Sequence, residues 1–138
     1  MSNAVKPFIY NITPFIYNAT LERVVDGDTI YCSLDLGFNV ILHKQCCRLA
    51  GIDTPESRTR NLEEKALGLK AKERLKELCV GSFKIQSLGK GKYGRILAVP
   101  YTEDSQDICQ ILKDEGHAVE YWGGTKKAKV RDDGTWGE

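Results

Sequence analysis

The chain has no C-x-x-C pair, no long apolar run and no surplus of charge, and each lack closes off a class of protein. Its five cysteines, Cys32, Cys46, Cys47, Cys79 and Cys109, are odd in number and unpaired in spacing. That excludes a disulfide framework or a zinc knuckle and reads as reduced core thiols. Twenty basic against nineteen acidic residues leave a net charge of +1, so no global pull toward nucleic acid follows, and only charge gathered on one face would supply one. Residues 1–20 are interrupted by Pro7, Asn11, Pro14 and Asn18, which leaves neither a signal-peptide core nor a stretch of transmembrane length. Together with the thiols this sets the expectation of a cytoplasmic protein without membrane contact. The glycines over 89–94 fall between two strand-like runs, so P-loop and dinucleotide readings fail on context.

What is there fits one domain. At 138 residues with 41% hydrophobic content the chain is long enough to bury a core without disulfides. The organisation divides into an extension over 1–18, a domain over 19–125 and a polar tail over 126–138. The extension holds a near-verbatim repeat, Pro7-Phe8-Ile9-Tyr10-Asn11-Ile12-Thr13 followed by Pro14-Phe15-Ile16-Tyr17-Asn18-Ala19-Thr20. Two copies are too few for a repeat architecture, so a local duplication is expected, with the second copy leading into the first strand. Alternating and apolar runs then read as three strands in a meander, ending near Leu49. A helix follows, opened by Asn61 with Glu64 three positions on, striped by Leu67, Ala71, Leu75 and Leu78, and stopped near Gly81. Two more strands, around Phe83-Ile85 and 96–99, flank a glycine-rich turn, and a short helix is expected from Ser105 to Glu115. The tail shows no helical stripe and reads as extended or disordered.

Two acidic clusters stand out. Val24-Val25-Asp26-Gly27-Asp28-Thr29 puts two carboxylates and a glycine inside a strand-like run, which calls for a turn, a bulge or a bound cation. Gly51-Ile52-Asp53-Thr54-Pro55-Glu56 follows the strand that ends at Arg48 and Leu49. Asp28 and Asp53 are hard oxygen ligands suited to Ca²⁺ or Mg²⁺, the extended Thr54 before proline leaves its carbonyl free to join them, and Asp26 adds charge behind. Glu56 is placed to orient or deprotonate a water beside the metal. Arg48 and Arg95 are planar forks that match phosphate oxygens and stabilise the extra charge of a five-coordinate phosphorus. His43 and His117 read as ordinary surface and capping residues.

The order V-V-D-G-D-T, then C-R-L-A-G-I-D-T-P-E, then a helix and K-Y-G-R resembles the thermonuclease (staphylococcal nuclease-like) family, over about residues 19–121. The resemblance implies an α+β OB-fold, a five-stranded Greek-key barrel with two or three packed helices, and Ca²⁺-dependent cleavage of DNA and/or RNA. It implies Asp28 and Asp53 as side-chain calcium ligands, Thr54 as a carbonyl ligand and Asp26 behind them. Glu56 is implied as general base or water-orienting group, and Arg48 and Arg95 as phosphate clamps. Lys92 and Tyr93 match a substrate-side loop, and Tyr121 or Trp122 a second substrate-side aromatic. A monomer is the favoured state. The tail departs from the family's founding member, which ends in a long lysine-rich helix, and the near-neutral charge implies weaker nonspecific DNA affinity. The alternative reading is a noncatalytic OB module that binds nucleic acid or a protein; retention of Asp28, Arg48, Asp53, Glu56 and Arg95 favours the nuclease.

Overall fold

The computed structural model describes residues 15–138; the first copy of the repeated segment, residues 7–13, lies outside them. In chain order the strands are β1 (Ile16–Asp26), β2 (Thr29–Asp35), β3 (Ile41–Leu49) and the two-residue β4 (Ile52–Asp53). Helix α1 (Leu62–Leu78) follows, then β5 (Ser82–Lys90), a 3-10 turn (Lys92–Gly94), β6 (Ile96–Tyr101) and helix α2 (Ile108–Asp114). Three short strands finish the chain, β7 (Val119–Glu120), β8 (Lys129–Val130) and β9 (Trp136–Gly137). β1, β2, β3, β6 and β5 close a barrel in that order, which is the expected five-stranded α+β architecture. No helix among the described residues is long and apolar enough to cross a membrane.

The acidic run of β1 folds as both a turn and a bulge. Asp26 pairs with Thr29 across the β1–β2 turn, and register slips between Leu21 and Arg23 and again between Val24 and Asp26 re-aim the strand end. Gly27 is required there by space: a Cβ would stand 2.7 Å from Ala71 Cβ of α1 and 3.1 Å from Thr54 Oγ1. Strand β3 then runs antiparallel to β2 and parallel to β6, with Arg48 opposite both Thr29 and Leu97. That register sets Arg48 between the acidic turn and the β6 entrance, where Arg95 lies. Closure buries Ile30, Leu49, Phe83 and Ile85 inside the barrel, and Leu75 of α1 with Ile108 and Leu112 of α2 seals its end.

Several boundaries differ from the sequence expectation. Ile16 to Thr20 already pair with Gln86 to Ser82 of β5, so the barrel reaches two residues before Asn18. Helix α2 starts at Ile108, not Ser105, because Ser105 takes φ 67° in a turn closed by Ser105 N–H donating to Thr102 O, and Asp107 caps the helix. The tail is a hairpin, β8 against β9, with the Trp136 indole buried. All five cysteines are free thiols; four are buried and Cys46 is half-buried.

Candidate functional site

The two acidic clusters meet because β4 follows β3 after one tight turn and lies beside the β1–β2 corner. Asp28 Oδ2 accepts the Thr54 N–H at 3.4 Å, and its Oδ1 accepts the Thr29 hydroxyl at 3.0 Å. Asp26 is engaged by the segment after Pro55: its Oδ1 accepts the Ser57 N–H at 3.1 Å and also the Ser57 hydroxyl. Asp26 therefore acts as a tether for residues 54–57 as well as a nearby negative charge. The result is a polar cavity of about 200 Å³ lined by Asp26, Asp28, Arg48, Thr54, Glu56 and Arg95, with Thr29 and Lys126 completing the wall.

Arg48 is fixed before anything binds. Its Nη1 donates to Leu49 O at 2.8 Å and Asp28 O at 3.5 Å, its Nη2 donates to Ile52 O at 2.9 Å, and it pairs with Asp28 Oδ2 at 3.5 Å. Arg95, just past the 3-10 turn, makes no ion pair among the described residues, and its guanidinium is free to meet an anion. Both arginines also line a second, mainly apolar cavity of about 320 Å³, with Leu49, Ile52, Tyr121 and Trp122. The Trp122 ring lies over Gly51, where a Cβ would come within 2.5 Å of Cζ2. Tyr121 is held by its hydroxyl, which donates to Gly124 O at 2.6 Å. Tyr93 is 94% exposed and lines neither cavity, and the Lys92 side chain is outside what the structure describes.

Glu56 owes its position to α1. Its backbone N–H donates to Glu64 Oε2 at 3.0 Å, while Asn61 caps the helix by accepting from the N–H groups of Glu63 and Glu64 at 3.1 Å each. Only half of the expected capping box forms, because Glu64 turns to Glu56 rather than back to Asn61. A residue that sequence reasoning passed over completes the seat: a Cβ on Gly68 would meet the Glu56 carbonyl carbon at 2.5 Å and the Ser57 nitrogen at 2.7 Å. A glycine in the middle of a leucine- and lysine-rich helix was the available signal, since it costs about 1 kcal/mol against alanine. Ser57 had no such signal.

Asp53 is the most buried of the acids, and its carboxylate does not line the polar cavity. Lys126 covers it, Nζ to Oδ1 at 3.4 Å. Burial pushes the Asp53 carboxyl above its ordinary value, with Asp28 adding to the rise and Lys126 and Arg48 opposing it. Behind Asp53 the Trp136 indole donates to Asp53 O at 3.1 Å, so the tail hairpin is pinned to β4.

The donor chemistry suits a hard divalent cation: two carboxylates that repel each other in a partly buried corner, with backbone oxygen close by. Among the described residues no three His, Cys, Asp or Glu side chains form a metal-gripping group. A cation here would have to be held by fewer than three such side chains, with backbone oxygen and water completing its shell. Thr54 Oγ1, beside Gly27, is buried without a hydrogen-bond partner.

The family described as Staphylococcal nuclease homologue matches residues 46–134, a span that holds Arg48, Arg95, the second acidic cluster and the first strand of the tail hairpin. Endonuclease YncB of Bacillus subtilis (strain 168) is 38% identical over 110 residues, 75% of this chain and 47% of its own length. The SPbeta prophage-derived endonuclease YokF of the same organism is 37% identical over 108 residues, 75% of this chain and 34% of its own length. This chain thus spans at most about half of the curated relatives it matches. The matched span and the closed five-stranded barrel agree on one conclusion: the chain belongs to the staphylococcal nuclease homologue family.

Proposed function

We propose that this protein is a Ca²⁺-dependent nuclease that hydrolyses phosphodiester bonds of DNA and/or RNA. The observation that carries the reading is that one polar cavity is lined by Asp28, Glu56, Arg48 and Arg95 together. Asp28, Asp53 and the Thr54 carbonyl would hold Ca²⁺, which when bound would supply Lewis-acid chemistry. Its irregular oxygen set favours Ca²⁺ over Mg²⁺, which demands near-ideal octahedral geometry.

The chain's own groups do the rest. Glu56 accepts a proton from water as that oxygen attacks phosphorus, or orients the water for attack; the P–O bond to the leaving oxygen then breaks, and that oxygen keeps the electron pair and takes a proton from solvent water. Arg48 and Arg95 donate N–H groups to the nonbridging oxygens, where negative charge grows in the transition state. The neighbouring apolar cavity supports a nucleic acid substrate, since Tyr121 and Trp122 offer π-faces for a base while the shared arginines hold its phosphate. Lys92 and Tyr93 stand on the 3-10 turn just before Arg95, and their substrate-side role rests on the motif resemblance. The endonuclease names of the relatives agree with this reading.

Glu56→Gln tests it. The substitution keeps size and removes basicity, so the cleavage rate on DNA falls by about 10²-fold or more while the melting temperature stays at the wild-type value. Full activity of Glu56→Gln refutes the hydrolytic role.

A further inference from the structure

Residues after Tyr121 form a strap across the acidic corner. It leaves β7 through Gly123 and Gly124, both with positive φ, crosses over Asp53 at Lys126, and enters β8. Both ends are tied. The Tyr121 hydroxyl holds Gly124 O at the near end, and the buried Trp136 indole holds Asp53 O from the far side of the hairpin. Between the ties, the Lys126 ammonium sits 3.4 Å from Asp53 Oδ1 and 5.8 Å from the Tyr121 ring centroid. Lys126 lines the polar cavity and Asp53 does not, although Asp53 is the acid that a cation in this corner needs beside Asp28.

We infer that Lys126 is a built-in counter-cation for Asp53, which a divalent cation must displace before Asp53 faces the cavity, so that Lys126 sets the metal affinity of the site. This rests on the metal reading proposed above. One ammonium and one divalent ion cannot share a carboxylate oxygen without mutual repulsion, and the ion with two charges and several oxygen partners prevails once its concentration suffices. The Lys126 side chain is 54% exposed against 6% for Asp53, so the lysine is the partner able to swing away into solvent. Its long stem lets the ammonium leave while the strap stays tied at Gly124 and Trp136.

Calorimetric titration of the whole chain with CaCl₂, without nucleic acid, tests this, with melting curves confirming that each variant is folded. Lys126→Met should bind Ca²⁺ about threefold or more tightly than wild type, and Lys126→Arg, which keeps the charge, should bind as wild type does. Equal or weaker binding by Lys126→Met overturns the inference and leaves the metal site standing. Tighter binding by both variants also overturns it, because packing rather than charge is then responsible. Absence of Ca²⁺ binding in all three proteins at millimolar concentration overturns the metal reading, and the inference with it.

Discussion

Arg48 and Arg95 carry the same charge and line the same two cavities, yet they are held in different ways. Arg48 spends its fork on the carbonyls of Leu49 and Ile52 and on Asp28, and is largely buried; Arg95 has no ion pair among the described residues. Lysine preserves the charge at either position and loses the planar fork, so both Lys variants should lose phosphate recognition and hence cleavage. Stability separates them. Arg48→Lys leaves buried carbonyls short of donors and should cost about 1–3 kcal/mol, read as a lower melting temperature. Arg95→Lys should melt with wild type. Equal melting temperatures with normal cleavage in both variants would contradict the account of each residue.

Helix α1 is the element that turns a barrel into a site. Its apolar stripe and its Asn61 cap were legible in the sequence, because leucine spacing and capping chemistry are local. What was not legible is how the helix uses its first two turns, since Glu64 and Gly68 serve a loop that only the tertiary fold brings near. Gly68→Ala makes this testable by sign. On a solvated helix face alanine would add about 1 kcal/mol of stability. Here the added methyl meets the Glu56-Ser57 peptide, so a loss of about 1–3 kcal/mol is expected, with a fall in cleavage as Glu56 is displaced. A rise in melting temperature with unchanged cleavage would show that the helix does not seat Glu56.

Helix α2 carries a pH dependence of its own. It ends beside His117, whose ring burial holds it below its ordinary value of 6.5, with Glu115 opposing the shift. The folded chain favours the neutral ring and the unfolded chain protonates more readily. The stability this contributes is complete above the ordinary value and is lost as pH falls through the folded one. Melting curves between about pH 7 and pH 5 should therefore fall less steeply for His117→Gln than for wild type. Parallel slopes would show that His117 takes no part in acid destabilisation.

At the scale of the whole molecule, the barrel and its acidic corner follow from patterns that a sequence carries openly: alternation in the strands, a D-G-D interruption that has to turn, and a proline that keeps Thr54 extended. The tail hid its structure because polar residues between Val130 and Trp136 give no periodic signal, and the indole that anchors it bonds to a carbonyl far away in sequence. For the same reason Lys126, the first residue of the polar tail, gave no sign of its place beside Asp53. The consequence is that Asp28, Asp53, Arg48, Arg95 and the tail hairpin gather at one corner of the fold, although Asp28 and Trp136 lie outside residues 46–134, the span that matches the family.

The claim that this unit is a calcium-dependent nuclease is tested most directly by incubating supercoiled plasmid, and separately a structured RNA, with the purified chain in Ca²⁺, in Mg²⁺ or in chelator. The account predicts cleavage of nucleic acid in Ca²⁺, little or none in Mg²⁺, and none in chelator. Full cleavage in Mg²⁺ with none in Ca²⁺, or binding of both nucleic acids without cleavage under any condition, would contradict it.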